Sequence, residues 1–252
     1  MNIALKRPDA AGVAGLRGVF VTGTDTEIGK TRIAAGLLHA LAAHGLRTAG
    51  LKPVAAGTDY VDGRVCNEDV ALLRSASSVA VGEAEVGPCQ LAAACAPHIA
   101  AELEGRRIEL ADLTDAAHRL AQKADWLVVE GVGGFRVPFD DHHDSADLAV
   151  ALGLPVVMVV GMRLGCLNHA LLTADAIRAR GLTLAGWVGN TVDPGMPHRD
   201  RNLHTLRAHL APAPCLGVVP WLAQPSPAAV ASCFARDHLV ALVGDVRTVQ
   251  PD

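Results

Sequence analysis

Short runs of β-branched and aliphatic residues alternate with longer segments of helical period along most of this chain. The extended runs fall at 19–22, 48–51, 126–129, 156–160, 184–188 and 217–219, and helical spacing predicts helices over 30–44, 68–75, 114–123, 145–152, 167–180 and 198–209. The strand runs are apolar on both faces. Such strands, separated by helices, predict a single-domain α/β fold with a mostly parallel sheet flanked by helices, because parallel neighbours are joined only through crossovers. Ligands in these sheets bind beyond the carboxyl ends of the strands, so chemistry-bearing residues should follow strands.

Outside the alternation, residues 1–18 mix Pro, Gly, Ala and charge without a period and read as a flexible N-terminal leader. The domain is expected over 19–245, with 246–252 as a C-terminal tail. The Ala- and Pro-rich stretch 224–231 reads as a loop or as the entry to a last helix.

Composition narrows the function classes. Half of the 252 residues are hydrophobic but only 3% are aromatic, so the core must be packed from Ala, Val and Leu. The net charge of −4, with Lys and Arg scattered, gives no footprint for nucleic acid. The longest apolar stretches are about half the ~20 residues a membrane-spanning helix needs, and no signal-peptide core opens the chain, so no membrane partner and a cytoplasmic location are expected. The six cysteines form no Cys-x-x-Cys pair and read as reduced, mostly buried thiols.

Directly after the first strand comes Gly23-Thr24-Asp25-Thr26-Glu27-Ile28-Gly29-Lys30-Thr31, which leads into a helix. Strand, glycine loop and helix together are the context of a P-loop: backbone N–H groups and a helix N-terminus converge on phosphate, Lys30 adds positive charge and the Thr31 hydroxyl can ligate Mg²⁺. The usual spacing would place the first glycine at position 24, which is Thr, so the loop is a variant.

Lys52 ends the second strand, held extended by Pro53 and aimed at the phosphates; the alternative is a surface strand-end Lys. Asp69 opens a helix and Glu130 closes an apolar strand before the turn expected at Gly131-Val132-Gly133-Gly134. Thr31, Asp69 and Glu130 supply the oxygen set that Mg²⁺ takes beside a triphosphate, although an Asp at a helix start is also an ordinary cap. Leu164-Gly165-Cys166-Leu167-Asn168-His169 opens a helix whose free N–H groups suit a carboxylate, or is a plain helix start. Asn190 can donate and accept toward an adenine edge, or sits in a turn. Asp140-Asp141-His142-His143-Asp144 has metal-ligand residue types, but neighbours in a loop seldom converge on one ion, and a solvated acidic loop is the reading adopted.

These segments, with Leu51-Lys-Pro-Val-Ala-Ala-Gly57, Ala185-Gly-Trp-Val-Gly-Asn190 and Val219-Pro-Trp-Leu222, occur in the order and rough spacing of the dethiobiotin synthetase family, which the chain resembles over about 19–222. The resemblance implies a P-loop NTPase-like fold and a cytoplasmic homodimer. It implies an ATP-dependent cyclo-ligase that makes dethiobiotin from 7,8-diaminononanoate and CO2, releasing ADP and phosphate. Lys52, with Lys30, then matches the catalytic lysines, and Thr31, Asp69 and Glu130 match the Mg²⁺ ligands. Glu27, Ile28, Gly29, Lys30, Thr31 and Arg32 match the phosphate loop, Gly131, Val132 and Gly133 a further nucleotide contact, and Asn190, Thr191, Pro220, Trp221 and Leu222 the adenine pocket. Thr26, Lys52 and Ala56 fall at substrate positions, as do Gly165, Cys166, Leu167 and Asn168, whose counterparts hold the substrate carboxylate across the dimer interface.

Two positions depart from the family. Ala56 stands where a hydroxyl residue is common, at a cost of about 1 kcal/mol for one hydrogen bond. Pro225 and Pro227 stand where acidic residues would contact the nucleotide. The rival class is a switch ATPase that controls division or partitioning; its loop carries a second lysine where this chain has Asp25, and a basic amphipathic tail that is missing here. Replacing Lys52 by Ala is expected to abolish turnover with the fold intact.

Overall fold

The structure, a computed structural model, describes residues 16–61 and 64–244. Most of the expected leader (1–15) and the C-terminal tail 246–252 lie outside the described residues, and the first strand begins one residue early, at Gly18.

In chain order the elements are β1 (Gly18–Gly23), α1 (Lys30–Ala43), β2 (Thr48–Leu51), β3 (Val54–Ala56), β4 (Asp59–Val61), β5 (Arg64–Cys66), α2 (Glu68–Ala76), α3 (Glu83–Val86), β6 (Cys89–Leu91) and α4 (Pro97–Leu103). There follow α5 (Leu110–Ala121), β7 (Trp126–Gly134), α6 (Ser145–Leu152), β8 (Val156–Met162), α7 (Cys166–Ala179), β9 (Leu184–Thr191), α8 (Arg199–His209), β10 (Cys215–Val219), α9 (Pro227–Ala231) and α10 (Arg236–Val243).

Six strands form one sheet in the order β10-β9-β8-β1-β7-β2, with every neighbouring pair parallel. The fold is thus the expected α/β domain with helices on both faces. The period of two is visible in β1: Phe20 joins one apolar cluster with α4 to α8, while Val19 and Val21 join the other with α1, α2 and α9. Ala, Val and Leu supply most of both clusters. Among the described helices none is long and apolar enough to cross a membrane.

Several boundaries differ from the periodicity reading. The glycines after Glu130 lie within β7 rather than in a turn after it, but as a bulge: the register with β1 shifts between Val21 opposite Glu130 and Gly23 opposite Gly134. Likewise β9 reaches Thr191, which puts Asn190 inside the strand. Helix α5 starts at Leu110, earlier than expected, since Leu113, Ala117 and Leu120 share its buried face. The stretch 224–231 contains the short α9, with Pro227 in its first turn and Ser226 as cap. Two small sheets were not foreseen: β3 pairs with β6 in parallel and β4 with β5 antiparallel. Of the six cysteines only Cys89 and Cys166 are buried, and Cys95 is exposed.

Candidate functional site

The loop after β1 is built for tight curvature. A Cβ at Gly23 would lie 2.8 Å from Lys30 Cδ, 2.9 Å from Ile28 Cδ1 and 3.0 Å from Asp25 O, so a side chain there would displace Lys30. Glu27 and Gly29 both take left-handed backbone, with φ of 58° and 82°. Lys30 Nζ folds back to donate to Asp25 O at 2.9 Å. Helix α1 begins behind Gly29 with no side-chain cap and no acidic residue in its first turn, which leaves its positive end open to an anion.

Strand register assembles the charged cluster. Val21 of β1 lies opposite Glu130, and Leu51 of β2 lies opposite Val129, so the next residue, Lys52, reaches the carboxylate. Lys52 Nζ sits 2.6 Å from Glu130 Oε1 and 2.9 Å from Asp69 Oδ2, and Lys52 and Glu130 are both buried. Lys52 is therefore not the surface strand-end lysine of the alternative reading. Thr31 Oγ1 lies 2.7 Å from Asp69 Oδ1 and 2.9 Å from Glu130 Oε1, donating its single proton to one at a time. Asp69 does not act as the cap of α2; Asn67 does, accepting from the N–H groups of Asp69 and Val70.

Burial and charge set the protonation states. Burial would strip the proton from Lys52, but Glu130 and Asp69 outweigh it and hold the ammonium above its ordinary value. Burial lifts Glu130 above the usual carboxylate range, with Lys52 opposing. Burial also opposes ionisation of Asp69, yet Lys52 and Thr31 pull it below its usual value. Lys30 is pushed down to about 8 by burial, aided by the nearby Lys52 cation.

These groups fit a hard divalent ion. Their donors are oxygens only, two carboxylates and a hydroxyl, and Glu130 Oε2 is buried without a hydrogen-bond partner, a costly state that a cation or its water would relieve. Among the described residues no cluster of three or more His, Cys, Asp or Glu side chains forms a metal site. In the 140–144 loop, Asp140 instead accepts from the His142 and His143 N–H groups and is pulled down to about 2, while Asp144 caps α6.

A cavity of about 830 Å3 opens over this cluster, lined by Thr26, Glu27, Gly29, Lys30, Thr31, Arg32, Lys52, Ala56, Asp69, Glu130, Val132 and Gly133 from the sequence-derived set. Glu68, Leu72, Ala94, Cys95, Ala96, Pro97 and Val137 also line it and were not foreseen; residues 94–97 belong to an Ala-rich stretch with no motif, brought in by the β3–β6 pair. Gly131 does not line the cavity: a side chain there would meet the Phe20 ring at 3.0 Å, so its small size serves packing.

A second cavity of about 290 Å3 adjoins the first across Glu27, Gly29 and Arg32 and is walled by Asn190, Thr191, Pro220, Trp221, Leu222 and Pro225. Asn190 Nδ2 donates to Ile28 O at 2.8 Å, so the buried Ile28 contributes its carbonyl rather than its side chain. Gly165, Cys166, Leu167 and Asn168 line neither cavity. They start α7 beside the exposed Leu164, and the link to the loop is Arg163, which pairs with Asp25.

Solved structures share this fold at low identity. The septum site-determining protein MinD of Pyrococcus horikoshii OT3, solved with Mg-ADP, is 15% identical with a TM-score of 0.54, covering 90% of this chain and 94% of that one. MinD of Aquifex aeolicus is 15% identical at 0.54 over 93% and 100%, and a ParA family ATPase of Chlorobium tepidum TLS 16% identical at 0.51 over 91% and 97%. These likenesses show the P-loop NTPase-like fold and no more. The family model described as an AAA domain, AAA_26, matches residues 17–229, the stretch that holds Lys30, Thr31, Lys52, Asp69, Glu130 and Asn190, and the chain belongs to that family.

Proposed function

We propose that the protein is an ATP-dependent dethiobiotin synthetase, which closes a ureido ring on 7,8-diaminononanoate with CO2. The AAA_26 family includes that activity. The observation that carries the reading is the Lys52–Glu130–Asp69–Thr31 cluster in the wall of a cavity that is also lined by the phosphate loop and by Leu72, Ala96, Pro97 and Val137. Simple hydrolysis needs only water beyond the γ-phosphate; a cavity of about 830 Å3 that extends to residues outside the phosphate loop would suit a second small molecule as well.

In this reading one substrate amine adds to CO2 and loses a proton to give a carbamate. A carbamate oxygen attacks the γ-phosphorus and ADP leaves. The second amine then attacks the carbonyl carbon, phosphate is expelled and the ring closes. Lys30, the α1 N-terminus and Lys52 hold the negative charge that gathers on the transferring group, so positioning and electrostatics suffice without a covalent nucleophile. Thr31, Asp69 and Glu130 would hold the magnesium ion, which supplies further charge neutralisation at the phosphates. The neighbouring cavity would take the base, with Asn190 Oδ1 as acceptor for an exocyclic amine.

A homodimer acting in the cytoplasm belongs to the same proposal. It is supported by Leu164 and Leu172, 94% and 61% exposed beside Gly165, Cys166, Leu167 and Asn168, which a second copy would cover to complete the carboxylate end of the site. Against the switch ATPase stands Asp25, whose carboxylate pairs with Arg163 and whose carbonyl holds Lys30.

The deciding assay follows ADP release with diaminononanoate and bicarbonate varied together. Release that needs both is expected; steady ATP hydrolysis indifferent to the diamine would refute the proposal.

A further inference from the structure

A third cavity, of about 580 Å3, lies away from the loop and its partners, at the edge of the sheet. There β10 has β9 on one side only. Its other edge is closed by the chain after α9, where Gly217 bridges Phe234 and the Ala235 N–H donates to Leu216 O at 2.8 Å. The hollow sits between this closing segment and the turn after α8.

Its chemistry is one-sided. Pro212, Pro214, Val218 and Phe234 give apolar walls, Arg207 and His238 line it, and no Asp or Glu does. Arg207 makes no ion pair among the described residues; its polar neighbour is the Cys215 thiol, which burial holds above its ordinary value. His238 Nδ1 lies 2.9 Å from Cys215 O. A carbonyl only accepts, so Nδ1 carries the proton and Nε2 is left free. The Arg207 guanidinium is exposed and makes no ion pair among the described residues, so it is open to an anion at the rim of an apolar hollow within the ~300–1,000 Å3 range of small-molecule sites.

We propose that this cavity is a second small-molecule site, taking a monocarboxylate with an apolar body, the carboxylate on Arg207 and the body against Pro212, Pro214 and Phe234. One guanidinium matches one carboxylate in charge and in its two-pronged geometry. Beside Arg207 and His238 the walls offer few polar partners, which disfavours a sugar or a polyanion.

The test is calorimetric titration of the full chain, without nucleotide, with 4-phenylbutanoate as probe and 4-phenylbutanamide and 4-phenylbutylamine as controls. The acid should bind one per chain, with the amide and the amine weaker by about tenfold or more. Arg207→Gln should weaken the acid by about tenfold while the melting temperature stays unchanged, since the side chain is exposed. Arg207→Lys should fall between the two, and Lys30→Met, at the phosphate loop, should leave binding intact. The proposal is overturned if acid and amide bind alike, if Lys30→Met rather than Arg207→Gln removes binding, or if the acid does not bind by about 10 mM.

Discussion

Replacing Lys52 by Ala tests the buried cluster most directly, and its first effect should be on stability. Glu130 is wholly buried, its Oε1 is held by Lys52 at 2.6 Å, and its Oε2 has no hydrogen-bond partner among the described residues. Truncation leaves a carboxylate with no cation in contact, and breaking one side of a buried pair costs about 3–5 kcal/mol, a large share of the ~5–15 kcal/mol that holds a domain together. The cost should depend on pH. Burial already raises Glu130 in the folded protein, and losing Lys52 raises it further. A carboxyl whose folded value exceeds its unfolded one contributes stability at low pH that is lost as pH climbs from the unfolded value toward the folded one. The variant's deficit should therefore grow as pH rises above the ordinary carboxylate range, read from urea unfolding at about pH 5 and about pH 8. The double variant Lys52→Met, Glu130→Gln, which removes both charges at similar volume, should recover to within about 1.5 kcal/mol of the parent. A single variant as stable as the parent at the higher pH would refute the electrostatic account. Loss of turnover in Lys52→Ala alone thus says little about chemistry, because the burial of Glu130 against Lys52 runs against the expectation that the fold stays intact.

Three further outcomes follow from the same geometry. Because Lys30 is pushed down to about 8 and a bound phosphate would raise it again, nucleotide binding should take up a proton above that pH and weaken as pH rises; titrations in buffers of different ionisation enthalpy measure the uptake, which Lys30→Met should abolish. Gly29→Ala combines left-handed backbone, worth about 1–2 kcal/mol, with a Cβ 2.4 Å from Asn190 Nδ2, so it should cost less in an Asn190→Ala background, and strict additivity of the two variants in unfolding experiments would contradict the clash. Ala56→Ser should restore a hydroxyl to the cavity wall and, under the proposed function, lower the diamine KM by about fivefold, the equivalent of one hydrogen bond of about 1 kcal/mol.

The alternation of strand and helix was legible because β1, β7 and β8 are apolar on both faces and their helices carry a buried stripe. The cluster was legible because its members sit at strand ends and helix starts: Thr31, Lys52, Asp69 and Glu130 meet as the sheet rule requires. The region from 77 to 109 was not legible. Its strands and helices are short, so the three residues of β6 offer too few positions for a period, and the Ala94-to-Pro97 wall has no side-chain chemistry to mark it. Composition alone could not separate the role of Gly131, which makes room for Phe20, from that of Gly133, which borders the cavity in left-handed backbone.

The Asn190 amide is more than a wall of the smaller cavity. By donating to Ile28 O at 2.8 Å it ties β9 directly to the loop that precedes α1. Under the proposed function, an engineer who exchanged Asn190 to admit a different base would also release the Ile28 carbonyl, one residue before the left-handed Gly29 from which α1 starts. Selectivity and grip are therefore wired in series, and altering the first without losing the second calls for a replacement donor at the Ile28 carbonyl.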